Sequence, residues 1–384
     1  MKYFIIAGEA SGDIHAAQLI KSLKSIDFEA EIKFLGGDLM MEASGEKPII
    51  HYKKMAYMGF VEVIKHLPEI SKIMKIAKDV VRDWHPNAVI LIDYPSFNLK
   101  IAKYSFELGI PAFYYISPKV WAWKEYRVKE IKKYITALYS ILPFEPKFFQ
   151  DRHNFKVDYV GNPSVNEMSE AMKKVPSFED FCSLHSLDCK KPIISILAGS
   201  RKKEIRNNLP EMLKGVEPFS DFQIVISGAP NISIDFYENV IKESGFVKKA
   251  AIVENDTFSL VKNSRASLVT SGTATLETAL IGTPQIVCYR MNGNKIIYKF
   301  FARLLKVKYV SLPNLIADDM IVPELLVNFC NRDNIINHLA PLINDSQERM
   351  AMLNGYQKMM QILGSKDSAD TAARDIIKRI KISN

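Results

Sequence analysis

Ser267-Leu-Val-Thr-Ser-Gly-Thr-Ala-Thr-Leu-Glu-Thr-Ala-Leu-Ile-Gly-Thr-Pro-Gln-Ile-Val-Cys-Tyr-Arg290 decides the fold. The stretch predicts a buried strand ending near Thr270, a tight Ser271-Gly272-Thr273 turn, and a helix stopped by Gly282 and Pro284. A second strand follows over 285–289. Such a turn puts backbone N–H groups and the positive end of a helix where an anion can sit. Glu277, one turn in, is placed to accept hydrogen bonds from a hydroxylated group beside that anion. Phosphate first and sugar hydroxyls next describe a nucleotide-sugar site. A plain strand–turn–helix with a capping Thr is the competing reading, so the rest of the chain has to decide.

The flanking sequence repeats the same alternation. Strands are predicted over 2–7, 32–35 (running into Gly36-Gly37), 88–92 and 112–116. Between them lie a helix over 13–23, with Ile14, Ala17, Leu19, Ile20 and Leu23 inward, and one over 101–108, stopped by Gly109. Another spans 70–84, with Ile70, Ile73, Ala77, Val80, Val81 and Trp84 as its apolar stripe. Apolar strands alternating with helices imply a parallel sheet covered on both faces. The pattern pauses at Gly161-Asn162-Pro163, and the polar stretch 168–191 places a domain junction within 163–191. It resumes with strands at 193–197, 223–227 and 250–253 and a helix from Lys203. The expectation is α/β, with two doubly wound, Rossmann-like parallel-sheet domains over 1–163 and 164–364. The tail 365–384, helical over 367–382, is expected to pack back on the first domain. Ligands bind in crevices at the carboxyl ends of such sheets, here an inter-domain cleft.

At 384 residues the chain exceeds a single core, and 48% hydrophobic with 24% charged residues exclude long disorder. No apolar run reaches spanning length, and Glu9 follows the first strand too soon for a secretory signal. Cys182, Cys189, Cys288 and Cys330 form no CxxC, so metal and disulfide readings are weak and a reducing cytosol fits. The net charge of +8 is uneven. No acidic residue lies between Glu277 and Asp318, whereas Arg290, Lys295, Lys299, Arg303, Lys306 and Lys308 do, interleaved with Tyr298, Phe300, Phe301, Leu304 and Leu305. That mixture suits an anionic membrane surface, an RNA backbone or a phosphate-bearing lipid; it also suits a solvated helix face over a core stripe.

Gly8-Glu9-Ala10-Ser11-Gly12-Asp13 joins the first strand to the first helix and is not GxGxxG, so a dinucleotide reading is poor. Its glycines permit close backbone approach, and Asp13 is either functional or a helix N-cap. Ile92-Asp93-Tyr94-Pro95-Ser96-Phe97-Asn98 puts a carboxylate at the tip of an apolar strand. Asp93 there either accepts a proton from an attacking hydroxyl or caps the Pro95 turn; burial against Phe97 and Tyr94 would raise its proton affinity. Trp121 and Trp123 beside another strand end are sugar or acyl platforms, or core. Ala198-Gly199-Ser200-Arg201 is a phosphate-type loop whose arginine can grip a diphosphate, or pair with Glu204. No DxD pair occurs, so a metal clamp on a diphosphate is unsupported. Asn314, after Pro313, reads a base or ribose, or ties its loop.

These segments, with Met58-Gly59-Phe60-Val61-Glu62-Val63, Ser117-Pro118-Lys119-Val120-Trp121-Ala122-Trp123, Leu142-Pro143-Phe144-Glu145, Tyr289-Arg290-Met291 and Tyr309-Val310-Ser311-Leu312-Pro313-Asn314-Leu315, resemble lipid-A-disaccharide synthases over nearly the whole chain. The resemblance implies the GT-B fold, with the first domain on the acceptor side and the second holding the UDP-sugar donor. It implies an inverting transfer from UDP-2,3-diacylglucosamine to 2,3-diacylglucosamine 1-phosphate (lipid X), releasing UDP. No cofactor, metal or nucleic acid is implied. The expected setting is the cytoplasmic face of the inner membrane, held peripherally on its anionic surface, and a homodimer is allowed. By position, Asp93 and Arg201 match the family's essential carboxylate and arginine, and Glu277 and Asn314 its UDP-side residues. Gly8, Ser11, Gly12, Asp13, Asn98, Ser200, Ser271, Gly272 and Thr273 are the further substrate-binding candidates. Ala198 stands where a proline is common, and Ser96 where a second Asp is often seen, which leaves Asp93 without a competing base. The alternative is another GT-B enzyme of UDP-N-acetylhexosamines, a transferase or 2-epimerase. Outside enzymes, the alternative is a membrane- or RNA-binding protein using the basic stretch.

Overall fold

The computed structural model describes residues 1–55, 67–290 and 308–383, and the chain divides into two compact units, Met1–Pro163 with Ser365–Asn384, and Ser164–Gly364. In the first unit, β1 (Lys2–Ala7), β2 (Glu31–Gly36), β3 (Ile50–His51), β4 (Ala88–Ile92), β5 (Ala112–Tyr115), β6 (Ala137–Ser140) and β7 (Asp158–Tyr159) form one sheet. The order is β3-β2-β1-β4-β5-β6-β7, parallel throughout. Both faces are covered, which is why β1, β4 and β5 are buried without alternation. Tyr3, Ile5 and Ala7 of β1 enter one core layer, and Phe4 and Ile6 the opposite one.

The first layer receives Ala16, Leu19, Ile20 and Leu23 from the helix Ala10–Ile26 and Ala372, Ala373, Ile376, Ile377 and Ile380 from the helix Ser368–Ser383. Ile14, expected inward, is 41% exposed, because the helix begins at Ala10 and its buried stripe runs through residues 12, 13, 16, 17, 19, 20 and 23. The carboxyl-terminal helix is fastened by Tyr139, whose hydroxyl donates to Asp375 at 2.8 Å, and by Arg379, which reaches Asp158 at 3.0 Å. Gly161 lets the returning chain pass: its φ is +103°, and a Cβ there would lie 2.2 Å from the Lys366 carbonyl oxygen.

The opposite layer takes Ile73, Ala77 and Val81 from the helix Leu67–Trp84, with Val80 and Trp84 packed beside them. The apolar stripe of this basic helix therefore serves the core. Its Arg82 pairs with Asp79 and Asp83 at 2.9 and 2.7 Å.

The second unit contains β8 (Ile193–Leu197), β9 (Gln223–Gly228), β10 (Ala250–Glu254), β11 (Ser264–Thr270), β12 (Gln285–Tyr289) and β13 (Glu324–Leu326), parallel in the order β10-β9-β8-β11-β12-β13. The polar stretch after Pro163 belongs to this unit, since Met168 and Phe181 enter its core. Gly282 ends the helix Thr273–Ile281 in the left-handed conformation that glycine tolerates, φ +87°.

Strand order reverses between β1 and β4 in one sheet and between β8 and β11 in the other. Such reversals open crevices at the strands' carboxyl ends. The chain leaves these four strands at Gly8, Asp93, Ala198 and Ser271, the loops singled out from sequence. The Met58–Val63 motif and residues 291–307 of the basic stretch lie outside the described residues.

Candidate functional site

In the first unit the switch point is dominated by Asp93. It ends β4, all five residues of which are buried, and burial raises its carboxyl above the ordinary carboxylate range; Lys119 opposes the shift. Asp93 and Tyr94 both have left-handed backbones, φ 46° and 47°. Asn98 Nδ2 donates to the carbonyls of Ile92 and Asp93, at 3.2 and 2.7 Å, and the Tyr114 hydroxyl donates to the Asp93 carbonyl. Asn98 is wholly buried, so it acts on the turn and not on a ligand.

Gly8 and Gly12 have packing reasons to be glycine. A Cβ on Gly8 would lie 2.5 Å from Tyr94 Cγ, and one on Gly12 3.3 Å from Ala7 Cβ. Ser11 is exposed in the first turn of Ala10–Ile26. Asp13, expected as ligand group or as cap of its own helix, does not cap that helix. Its buried carboxylate accepts from the amides of Gly37, Leu39 and Met40 at 2.6, 3.1 and 3.3 Å, capping the neighbouring helix Asp38–Ser44.

The two tryptophans separate. Trp121 Nε1 donates to Glu145 at 2.8 Å, while Trp123 is 59% exposed. Sequence reasoning missed the roles of Glu145 and Arg127. Glu145 is buried, accepts from Ser140 as well, and is pushed up to about 7 by desolvation. Arg127, also buried, donates to Ser96 Oγ at 2.6 Å.

In the second unit a cavity of about 310 Å³ lies at the switch point between β8 and β11. It brings together Ser200, Ser271, Gly272, Thr273 and Glu277 from the predicted set, with Gly199, Glu204, Ser227 and Thr257 added. Gly272, φ +150°, caps the helix Thr273–Ile281, and no side chain takes up its first amides as a cap. That amino-terminal end can receive an anion. Glu277 is pushed up to about 7, by burial first and by Glu167 second.

Two further residues take the structural alternative that the sequence also offered. Arg201 is not on the cavity wall; it is largely exposed and pairs with Glu204 at 3.1 Å. Glu204 also accepts from the Ser200 amide at 3.1 Å, so it occupies part of the anion loop. Asn314 ties its own loop. Its Nδ2 donates to the Val322 carbonyl and Glu324, its Oδ1 accepts from the amides of Ile321 and Val322, each at 2.9 Å, and nothing is left over to read a base.

Asn208 was not anticipated. From the buried face of Lys202–Val216 it donates to the Ala198 carbonyl and Thr270 Oγ1, at 3.2 and 3.0 Å, and accepts from the Arg290 amide at 2.7 Å. One side chain thus joins the carboxyl ends of β8, β11 and β12. The available signal was an Asn within the apolar stripe of Ile205, Leu209 and Met212. Arg290 itself pairs with Glu211 at 3.3 Å. Among the described residues, no group of three or more His, Cys, Asp or Glu side chains is placed to hold a metal ion.

A family model for lipid-A-disaccharide synthetase matches residues 3–377. The lipid-A-disaccharide synthase of Acidobacterium capsulatum is 34% identical over 382 residues, covering 96% of this chain and 93% of that protein. That of Myxococcus xanthus is 33% identical over 385 residues, covering 98% and 97%. Among solved structures, the UDP-GlcNAc 2-epimerase of Neisseria meningitidis bound to UDP-GlcNAc aligns with TM-score 0.62 at 15% identity, covering all of both chains. The UDP-GlcNAc 2-epimerase of Methanocaldococcus jannaschii gives 0.61 at 15% identity, again covering 100% of each. Identities this low show the fold alone, which is the GT-B class with two parallel-sheet α/β domains.

Proposed function

Because the chain belongs to the lipid-A-disaccharide synthase family, and so is a glycosyltransferase of lipid A biosynthesis, we propose that it joins UDP-2,3-diacylglucosamine to 2,3-diacylglucosamine 1-phosphate with inversion. The acceptor's 6-hydroxyl oxygen attacks the anomeric carbon, the bond from that carbon to UDP breaks, and the hydroxyl proton passes to Asp93. The products are the β-1,6-linked disaccharide 1-phosphate and UDP. The observation that carries this reading is the half-buried Asp93 carboxyl at the tip of β4, whose raised proton affinity suits a base.

Donor binding is assigned to the 310 Å³ cavity of the second unit. The Ser200 and Thr273 loops meet the diphosphate through backbone amides, and Arg201 stabilises the charge that grows on departing UDP. Glu277 accepts from the ribose hydroxyls. Acceptor binding is assigned to the first unit, with exposed Ser11 and Trp123 available to the sugar. Work at an anionic inner-membrane surface and assembly as a homodimer belong to the same proposal.

The test is UDP release with both acylated sugars in detergent. Asp93→Asn keeps shape but cannot take the proton, so a folded variant is expected to lose about 10²–10⁴-fold in turnover. Near-normal turnover would overturn the assignment.

A further inference from the structure

The turn that carries Asp93 is held in a conformation its own residues disfavour. Two consecutive side-chain-bearing residues, Asp93 and Tyr94, lie in the left-handed region. Such turns persist only where their surroundings over-determine them, and they cluster at functional sites. The grip here is built from both ends. Asn98 and Tyr114 together place two donors on the Asp93 carbonyl, one of them at 2.7 Å. Tyr94 is held separately, its hydroxyl donating to the Met55 carbonyl at 3.1 Å and its ring seated against Gly8. The arrangement also leaves Asn98 Oδ1 buried with no partner among the described residues. Strained backbone and an orphaned acceptor both lower stability. What the molecule gains is a fixed place for the carboxylate at the tip of β4.

We propose that Tyr114 and Asn98 are positioning residues for the transfer reaction, gripping the Asp93 carbonyl so that the turn stays left-handed and its carboxylate stays where the acceptor hydroxyl is activated. This rests on the reading of Asp93 as the proton acceptor. Tyr114 suits the task because complete burial holds its phenol well above the ordinary range, keeping it a neutral donor wherever the enzyme works. Neither residue touches substrate in this scheme; each acts through Asp93.

The test is a double-mutant cycle on glycosyl transfer, measured with both substrates saturating and again for KM. Tyr114→Phe removes one hydroxyl and keeps the ring. Its kcat is expected to fall about 10- to 100-fold, with KM for both sugars nearly unchanged. The acidic limb of its pH profile should move to lower pH, because a loosened turn exposes the Asp93 carboxyl to water. Asn98→Leu, similar in volume but without donors, is expected to repeat the loss. In an Asp93→Asn background neither substitution should change the residual rate by more than about 2-fold, since there is no base left to position. Equal losses in both backgrounds would overturn the proposal, as would a folded Tyr114→Phe enzyme with the parent's kcat and pH profile. Should Asp93→Asn itself keep turnover, the reading of Asp93 as base fails first and the positioning role with it.

Discussion

Glu277 and Glu145 are carboxyls that burial pushes up to about 7, and their consequences differ because one lines the cavity of the second unit and the other ties down a loop. If Glu277 accepts hydrogen bonds from ribose hydroxyls, only its ionised form does so fully. UDP affinity is therefore expected to rise between about pH 6 and pH 8, and Glu277→Gln should flatten that rise. Calorimetric titration of UDP across that range checks it; an equal rise in the variant would exclude Glu277. For Glu145 the readout is stability. A folded-state value raised from 4.5 to about 7 means that the stabilisation is present below the unfolded value and is lost as pH climbs through about 7. Glu145→Gln can keep the acceptor for Trp121 without that proton linkage. The melting temperature of the wild type, measured against this variant, should thus fall from about pH 5 to pH 8.

At the scale of elements, the loop from β8 into Lys202–Val216 sets a competition. The carboxylate of Glu204 already accepts from Ser200 N–H and pairs with Arg201, the groups assigned to the diphosphate. Glu204→Gln is expected to tighten UDP, and Arg201→Ala to weaken it and slow turnover together, since the guanidinium's contact strengthens as charge develops on the leaving group. With no DxD in the sequence to clamp a metal, turnover is expected to survive EDTA; loss on chelation with rescue by Mg²⁺ would refute the metal-free scheme.

These loops were legible because strand tips and helix starts are written locally. The largely apolar strands Ala88–Ile92, Ile193–Leu197 and Gln285–Tyr289 are bounded by Asp93, Ala198-Gly199 and Pro284, and the observed limits agree with the predicted ones. What sequence could not show was which distant group each polar side chain meets. Asp13 caps a helix 24 residues away, Asn208 reaches β11 and β12, and Asn314 spends its amide on Val322 and Glu324. The short strands β7 and β13 carry too few residues for a period to register.

For the whole molecule, the proposed acylated sugar substrates bear on where the chain would meet them. Among the described residues no helix is long and apolar enough to cross a membrane. The chain has two basic segments, the helix Leu67–Trp84 and the stretch between Arg290 and Lys308, and the structure describes the first. The helix Leu67–Trp84 commits Ile73, Ala77 and Val81 to the core, leaving Lys72, Lys75 and Lys78 without an apolar face to insert. The stretch between Arg290 and Lys308 keeps its sequence character, with aromatic and aliphatic residues among Lys295, Lys299, Arg303 and Lys306 in a chain of net charge +8. Basic residues near anionic lipid contribute about 1 kcal/mol each, and salt screens the attraction. The protein is therefore expected to co-sediment with anionic vesicles at low salt and to be largely released at high salt. Changing Lys299, Arg303 and Lys306 to Glu should abolish most of that binding while sparing turnover on detergent-solubilised substrate. The same charge reversal at Lys72, Lys75 and Lys78 should matter less, although it alters the net charge equally. If both triple variants lose sedimentation to the same degree, the attraction belongs to overall charge and the 290–308 stretch has no special part in it.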